Sequence, residues 1–432
     1  MSCKIFYKIF YNMDVDNESR MMKIMNNKKI IQAIKYWSQV FLLPIYWLSF
    51  LIPRNKKIWV LGSSFGRRFA DNPKYFFLYL SQYKKNNVRA IWITTENDIV
   101  ELLKEHGLEV YKRNSWKGIW YCLRSGVYIF DNYSKDISFW LSGGAEKINL
   151  WHGVGNKKIN YDNRFDTVRH PKNNWERFKT YLRRLSDEKP SHYTLATSEV
   201  MAGIFASAFR TSREHIIIEG YPRNDILISD HIKNIYSADE EKIIQEIKRE
   251  KRLNKRISYY LPTFRESENK FFDVMDLENL NSFLNDNEIL FFTKVHPKSK
   301  LNEKFKSIQL SNIRYLPPAA DTYAILKYAD LLITDYSSIY SDFLLLDRPS
   351  VLFPYDYEEY STNTRDCYFD YDDYMKDRKA YSMIELMEAM ETVLEKDICR
   401  EERNKVKKWM FESCDGNACE RLYNKIQSIL NG

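Results

Sequence analysis

Two histidines stand where apolar runs stop. Ile148-Asn149-Leu150-Trp151 leads into His152, and Phe291 to Val295 leads into His296. An imidazole can accept a proton near neutral pH, which a hydroxyl nucleophile needs in order to attack. After the first histidine, Gly153 and Gly155 allow a tight turn and close backbone approach, and Lys157 and Lys158 add positive charge suited to an anionic substrate. Before the second stands Lys294; after it, Pro297 interrupts regular structure. Either histidine alone reads equally well as a core residue bonded to backbone. One at a strand end in each half of the chain favours a pair meeting across a cleft. His106, His170, His192, His215 and His231 lack such a frame.

A phosphate-binding feature accompanies them. Leu331-Leu332-Ile333 ends abruptly in Thr334-Asp335-Tyr336-Ser337-Ser338, and a helical pattern containing Asp342 begins at Ile339. A buried strand opening onto a helix start presents unpaired N–H groups, and small hydroxyl residues let phosphate approach them. Two further turns follow apolar strands: Gly220-Tyr221-Pro222-Arg223-Asn224-Asp225 and Leu261-Pro262-Thr263-Phe264-Arg265. Arg223 is expected to clamp a phosphate in bidentate fashion, and Thr263 and Arg265 to offer further donors. The plain alternative for both is a surface loop.

Other chemistries are disfavoured. There is no GxxxxGK[ST] loop, no GxGxxG after the first strand, no GxSxG elbow and no DxD at a strand end. The six cysteines are scattered without metal-ligand spacing, so a zinc site is not expected. A net charge of +8 over 432 residues is too small for a dedicated nucleic-acid binder but suits anionic small molecules or an anionic membrane surface.

The elements that must position these residues alternate. Strands are expected at Ile58–Leu61, Arg89–Ile93, Leu108–Tyr111, Val127–Phe130, Ile148–Trp151, Tyr193–Ala196 and Ile216–Glu219. After a charged, solvated helix within 231–256, a second cycle runs through Ile257–Leu261, Ile289–Val295, Ile313–Leu316, Leu331–Thr334 and Ser350–Phe353. Helical segments separate them, and the chain from Met383 on is largely helical. Such alternation predicts an α/β protein with two Rossmann-like, doubly wound domains facing a cleft, at 56–228 and 229–432.

Residues 1–55 stand apart. Phe41 to Ile52 is an apolar run broken by Pro44, with Lys35 before it, Arg54, Lys56 and Lys57 after it, and Trp37, Tyr46 and Trp47 of interfacial type. A spanning helix needs about 20 apolar residues. The segment is therefore expected to lie in the plane of a membrane surface, with packing on the protein's own core as the alternative.

In order, WHGVGNKK at 151–158, GYPRND at 220–225, PTFR at 262–265, KVHP at 294–297 and TDYSSIYSDF at 334–343 resemble the CDP-glycerol glycerophosphotransferase family, the teichoic-acid primases and polymerases. Asp71-Asn72-Pro73-Lys74 and Arg348-Pro349 also resemble family segments. The resemblance covers about residues 58–375 and departs at Val154 and Gly155, where the family has Thr and Pro. It implies a GT-B-like fold, acceptor side first and nucleotide side second. It implies transfer of an alditol phosphate from a CDP-alditol, glycerol or ribitol, to an acceptor hydroxyl, releasing CMP; the Phe41–Ile52 segment and its flanking charges make the expected acceptor a lipid-linked or polymeric glycan at the cytoplasmic face of the membrane. His152 and His296 match the family's essential histidines. Donor-binding positions match Arg223 and Thr334 to Ser338, and Thr263 and Asp342 more loosely. The wider expected substrate shell adds Trp151, Gly153, Lys157, Lys158, Arg265 and Lys294. No cofactor is firmly implied, though Mg2+ is compatible. The rivals are a GT-B glycosyltransferase using a nucleotide sugar and a non-catalytic membrane-bound assembly partner.

Overall fold

The computed structural model describes residues 29–188, 191–265, 269–296, 298–363 and 366–432. The expectations placed on residues 1–28 and on Pro297 lie outside these.

Two parallel sheets account for every described strand. The first joins β1 (Asn55–Leu61), β2 (Arg89–Thr94), β3 (Val110–Lys112), β4 (Ser125–Phe130), β5 (Glu146–Asn149), β6 (Tyr193–Ala196) and β7 (Ile216–Ile218) in the order β3-β2-β1-β4-β5-β6-β7. The second joins β8 (Arg256–Tyr260), β9 (Ile289–Thr293), β10 (Ile313–Tyr315), β11 (Leu331–Thr334), β12 (Ser350–Leu352) and β13 (Arg378–Lys379) in the order β10-β9-β8-β11-β12-β13. In both, strand order reverses once, between β1 and β4 and between β8 and β11. That is the switch point where the carboxyl ends of strands open a ligand crevice. The edge strand β13, two polar residues long, gave the sequence pattern no apolar run to register.

Side-chain alternation explains the layering. Along β1, Trp59 and Leu61 enter one buried cluster and Val60 another; along β11, Leu332 divides from Leu331 and Ile333 in the same way. The largest cluster is continuous across both sheets, taking in Trp59, Phe76, Tyr221, Tyr259, Tyr340 and Leu422. The last helix, Ala418–Asn431, returns to the first half, where the backbone N–H groups of Ala418 and Cys419 donate to the Asp225 carboxylate at 2.9 and 2.8 Å.

The segment before β1 is broken. A helix over 29–37 gives way to short turns at Ser38–Leu42, Leu43–Leu48 and Ser49–Leu51, with Pro44 in the first turn of the middle one. Among the described residues no helix is long and apolar enough to cross a membrane. Tyr46 is buried and stacks on Phe139 at 4.5 Å, and Arg54 donates to the carbonyls of Cys122 and Leu141 at 2.7 and 2.9 Å. Phe41, Trp47, Leu48 and Leu51 face outward. One side of the segment thus packs on the protein and the other side does not.

Candidate active site

A cavity of about 550 Å³ opens at the carboxyl ends of the strands and draws its walls from both halves of the chain. Both His152 and His296 line it. His152 arrives just beyond β5, after Trp151, whose backbone is left-handed (φ 51°). Such a conformation is strained for a bulky residue and persists only where the surroundings impose it. Here Asn72 donates to the carbonyls of Leu150 and Trp151 at 3.2 and 2.9 Å, and Trp151 packs edge-on against Phe209.

The two imidazoles are held in opposite tautomers. His152 Nδ1 lies 2.9 Å from the Asp131 carbonyl oxygen. A carbonyl only accepts, so Nδ1 carries the proton and Nε2 keeps its lone pair. His296 Nδ1 instead accepts the backbone N–H of Lys298 at 3.2 Å, which leaves Nε2 as the N–H donor of the neutral ring. One ring is built to take a proton and the other to give a hydrogen bond. Behind His152 sits a buried acid pair. Asp131 accepts from Ser63 Oγ at 2.6 Å, and burial together with Asp136 and Asp71 pushes its carboxyl well above the ordinary range.

The expected phosphate ligands divide sharply. Trp151, Gly153, Lys157, Arg223, Thr263, Lys294, Ser337 and Ser338 line the cavity; Lys158, Arg265, Thr334, Asp335 and Asp342 do not. Gly153 is packed so closely on Ser338 that a Cβ there would lie 3.1 Å from the serine oxygen. The His152 loop and the Thr334–Ser338 loop are therefore in direct contact, and glycine is what permits it. Thr263 Oγ1 is buried and has no hydrogen-bond partner among the described residues. The helix after Ser338 spans only Ile339–Leu344, and Ser338 makes no side-chain cap.

Arg223, expected as a phosphate clamp, and Arg265, expected as a further donor, both make ion pairs within the protein. The buried Arg223 donates from Nη1 to Asp71 and to the His152 carbonyl, and from Nη2 to Asp342, each at 2.7 Å. Arg265 donates to Asp335 at 2.7 Å, to Asp356 at 2.8 Å and to the Thr263 carbonyl at 2.8 Å. Each guanidinium is held by two carboxylates and a carbonyl and so fixes a cavity loop; Arg223, whose Nε has no hydrogen-bond partner among the described residues, also lines the cavity. Asp342, which also accepts from Tyr323 Oη at 2.7 Å, is the buried counter-ion of Arg223. Asp335 ties β11 to the Thr263 turn through the Thr263 N–H at 2.9 Å, and Thr334 Oγ1 donates to the Leu261 carbonyl at 2.7 Å. Asp342, Asp335 and Thr334 thus stand behind the cavity wall and tie its loops together. The backbone N–H of Lys158 donates to the Asp366 carbonyl at 2.8 Å, part of a lacing in which Asn156 pairs with the Phe369 backbone at 2.9 and 2.7 Å.

Arg68 and Tyr323 stand in the cavity wall although the sequence did not single them out. Asp71 was quoted only as part of a family-like segment, yet it lines the cavity in a left-handed conformation (φ 62°). No periodicity marks such positions. Among the described residues, no group of three or more His, Cys, Asp or Glu is placed to hold a metal ion.

Parallel sheets with a shared crevice at their switch points define an α/β protein of GT-B-like architecture. The comparisons narrow this. The family model for CDP-Glycerol:Poly(glycerophosphate) glycerophosphotransferase matches residues 45–428. The chain belongs to that family and is a glycerophosphotransferase. It is 30% identical over 334 residues to a teichoic acid poly(glycerol phosphate) polymerase of Bacillus spizizenii, covering 74% of this chain and 80% of that protein. It is 27% identical to a teichoic acid glycerol-phosphate transferase of Staphylococcus aureus, covering 73% and 79%. Against a polymerase of Staphylococcus epidermidis the match covers 72% of this chain but only 42% of the relative. Among solved structures, the wall teichoic acid polymerase TagF superposes with a TM-score of 0.69 at 23% identity, covering 94% of this chain and 97% of that one.

Proposed function

We propose that the chain transfers glycerol phosphate from CDP-glycerol to a hydroxyl of a lipid-linked or polymeric glycan acceptor, releasing CMP, with His152 as the general base. The observation that carries this assignment is the tautomer: Nε2 of His152 keeps its lone pair on a cavity that His296 shares. The acceptor oxygen attacks the phosphorus bearing the glycerol while its proton passes to Nε2. The phosphoanhydride bond to CMP breaks, and CMP leaves with the electron pair. Charge grows on the non-bridging and leaving oxygens, so positioned donors supply most of the catalysis. Nε2–H of His296, the Thr263 hydroxyl and the Ser337–Ser338 turn are the donors facing that charge. The first sheet with its loops forms the acceptor side and the second the nucleotide side.

The outward face of residues 38–51 supports docking on a membrane. Phe41 is 83% exposed and Leu51 75%, beside Trp47 and Leu48, and the exposed lysines Lys56 and Lys57 follow in the chain. Burying an apolar side chain of this size is worth about 1.5–3 kcal/mol, and anionic headgroups would attract the flanking charge. A cytoplasmic-face, peripheral location follows from this reading.

The test is a donor screen. The full chain is incubated with CDP-glycerol, CDP-ribitol and UDP-sugars plus a glycan-lipid acceptor, and free CMP or UDP is measured. CMP release with CDP-glycerol is expected; UDP release alone would identify a nucleotide-sugar glycosyltransferase instead, and silence with every donor a non-catalytic partner.

A further inference from the structure

Two cations line the cavity from opposite halves, and neither has a carboxylate partner. Arg68 follows the turn Ser64–Gly66, where Gly66 takes a left-handed conformation (φ 82°) and its carbonyl accepts from Thr94 Oγ1 at 2.7 Å. The loop carrying Arg68 is therefore anchored, yet the guanidinium makes no hydrogen bond or ion pair among the described residues. Lys294, at the end of β9, donates to Thr322 Oγ1 at 2.9 Å and to the Ala320 carbonyl, and to no carboxylate. The acids around it are engaged elsewhere. Asp321 pairs with Lys74 at 2.6 Å, and Glu240 caps its own helix through the Ser237 N–H at 2.7 Å while also accepting from the Asp321 N–H.

The two side chains sense one another. Burial is the main cause that brings the Lys294 ammonium down to about 7, and the charge of Arg68 pushes it the same way against Asp321 and Glu240. Two like charges facing a cavity, with the nearby carboxylates already paired, form a site that is completed by an anion. Arg223 and Lys157 also line the cavity, but Arg223 is paired with two carboxylates and Lys157 lies over the Tyr360 ring.

We infer that Arg68 and Lys294 together grip the diphosphate of the donor, one from each half, so that donor binding ties the two halves together. The inference rests on the donor reading above for the identity of the nucleotide, though not for the anion itself. A bound diphosphate stabilises the charged ammonium, so Lys294 takes up a proton on binding at pH values just above about 7. Arg68 contributes to that window, because its charge helps to keep the free amine low.

The experiment is calorimetric titration of CDP-glycerol, and separately of inorganic pyrophosphate, into the full chain between pH 7 and 9. Each titration is run in two buffers of different ionisation enthalpy, so that proton uptake is read directly. The wild type is expected to take up protons. Lys294→Met should abolish that uptake and weaken binding by about tenfold or more, the scale of one charge-assisted hydrogen bond. Arg68→Gln should weaken binding to a similar degree and move the uptake to higher pH, with no change in melting temperature. Wild-type affinity in both variants, or uptake that persists in Lys294→Met, would overturn the grip. If pyrophosphate binds and loses affinity in the variants while CDP-glycerol does not bind, the donor reading falls and the anion site stands. Failure of pyrophosphate to bind the wild type overturns the site.

Discussion

His152 donates its Nδ1 proton to the carbonyl of Asp131, 2.9 Å away, and that bond decides what the ring can do. With Nδ1 spoken for, the lone pair sits on Nε2, and a backbone carbonyl cannot reverse the arrangement. Separate kinetics on His152→Ala and His296→Ala follow directly. His152→Ala should lower kcat by ~10²–10⁴, the usual contribution of a positioned base, with donor affinity kept. His296→Ala should weaken donor binding as well as turnover. Near-normal turnover in His152→Ala would remove the base assignment.

Arg223 lines the cavity from within a buried ion-pair network, and its replacement should show in stability. Its side chain is 1% exposed and holds Asp71, Asp342 and the His152 carbonyl together. Removing one partner of a buried ion pair leaves uncompensated charge and destabilises by about 3–5 kcal/mol. Thermal and denaturant unfolding of Arg223→Ala should show a loss of that order. A variant that stays fully stable and loses only donor affinity would restore Arg223 as a phosphate clamp.

Gly153 should tolerate a methyl group less well than Gly155. A Cβ at Gly153 would meet Ser338 Oγ at 3.1 Å, whereas at Gly155 the nearest atom is Ser338 Cβ at 3.6 Å. Gly153→Ala must push the two loops apart, so kcat should fall more than in Gly155→Ala. Adding Ser338→Gly should return part of the loss in Gly153→Ala. A strictly additive double mutant would show that the loops are not coupled there.

Lys294 makes a signed prediction for stability. Its folded value, about 7, lies below the 10.5 of an ordinary lysine, so the unfolded chain binds more protons between those two pH values. Stability contributed by this group therefore rises with pH across that window, and the penalty of burying the ammonium is fully present below about 7. Lys294→Met removes the penalty. The melting temperature of the variant minus that of the wild type, measured without ligand, should grow as pH falls from 10 toward 7. A difference independent of pH would mean that the amine is not held low.

Membrane docking is checked by sedimentation with anionic vesicles. Phe41→Ser together with Leu51→Ser should reduce the bound fraction while CMP release from a water-soluble acceptor is unchanged, since both side chains point away from the body of the protein. Unchanged sedimentation would count against this surface.

The strands were legible because buried parallel strands are short apolar runs bounded by turns, and Tyr193–Ala196 and Leu331–Thr334 fall where the pattern placed them. The histidines were legible because each follows such a run, which is a local property. The fate of the arginines was not local. Asp71 lies 152 positions from Arg223 and Asp342 lies 119, so nothing beside GYPRND announces that its guanidinium is already engaged. Arg68 shows the converse: an unremarkable residue in sequence, it becomes a wall of the cavity only when β1 and β9 are brought together.

By itself, then, the sequence determined the alternation of strands and helices, the family, and which residue types stand at strand ends, because hydrophobic period and turn chemistry act over a few residues. Tertiary structure alone decided which charges cancel and which remain for a ligand, and which nitrogen of each imidazole keeps its proton. Those outcomes depend on carbonyls, carboxylates and N–H groups that folding delivers from elsewhere in the chain.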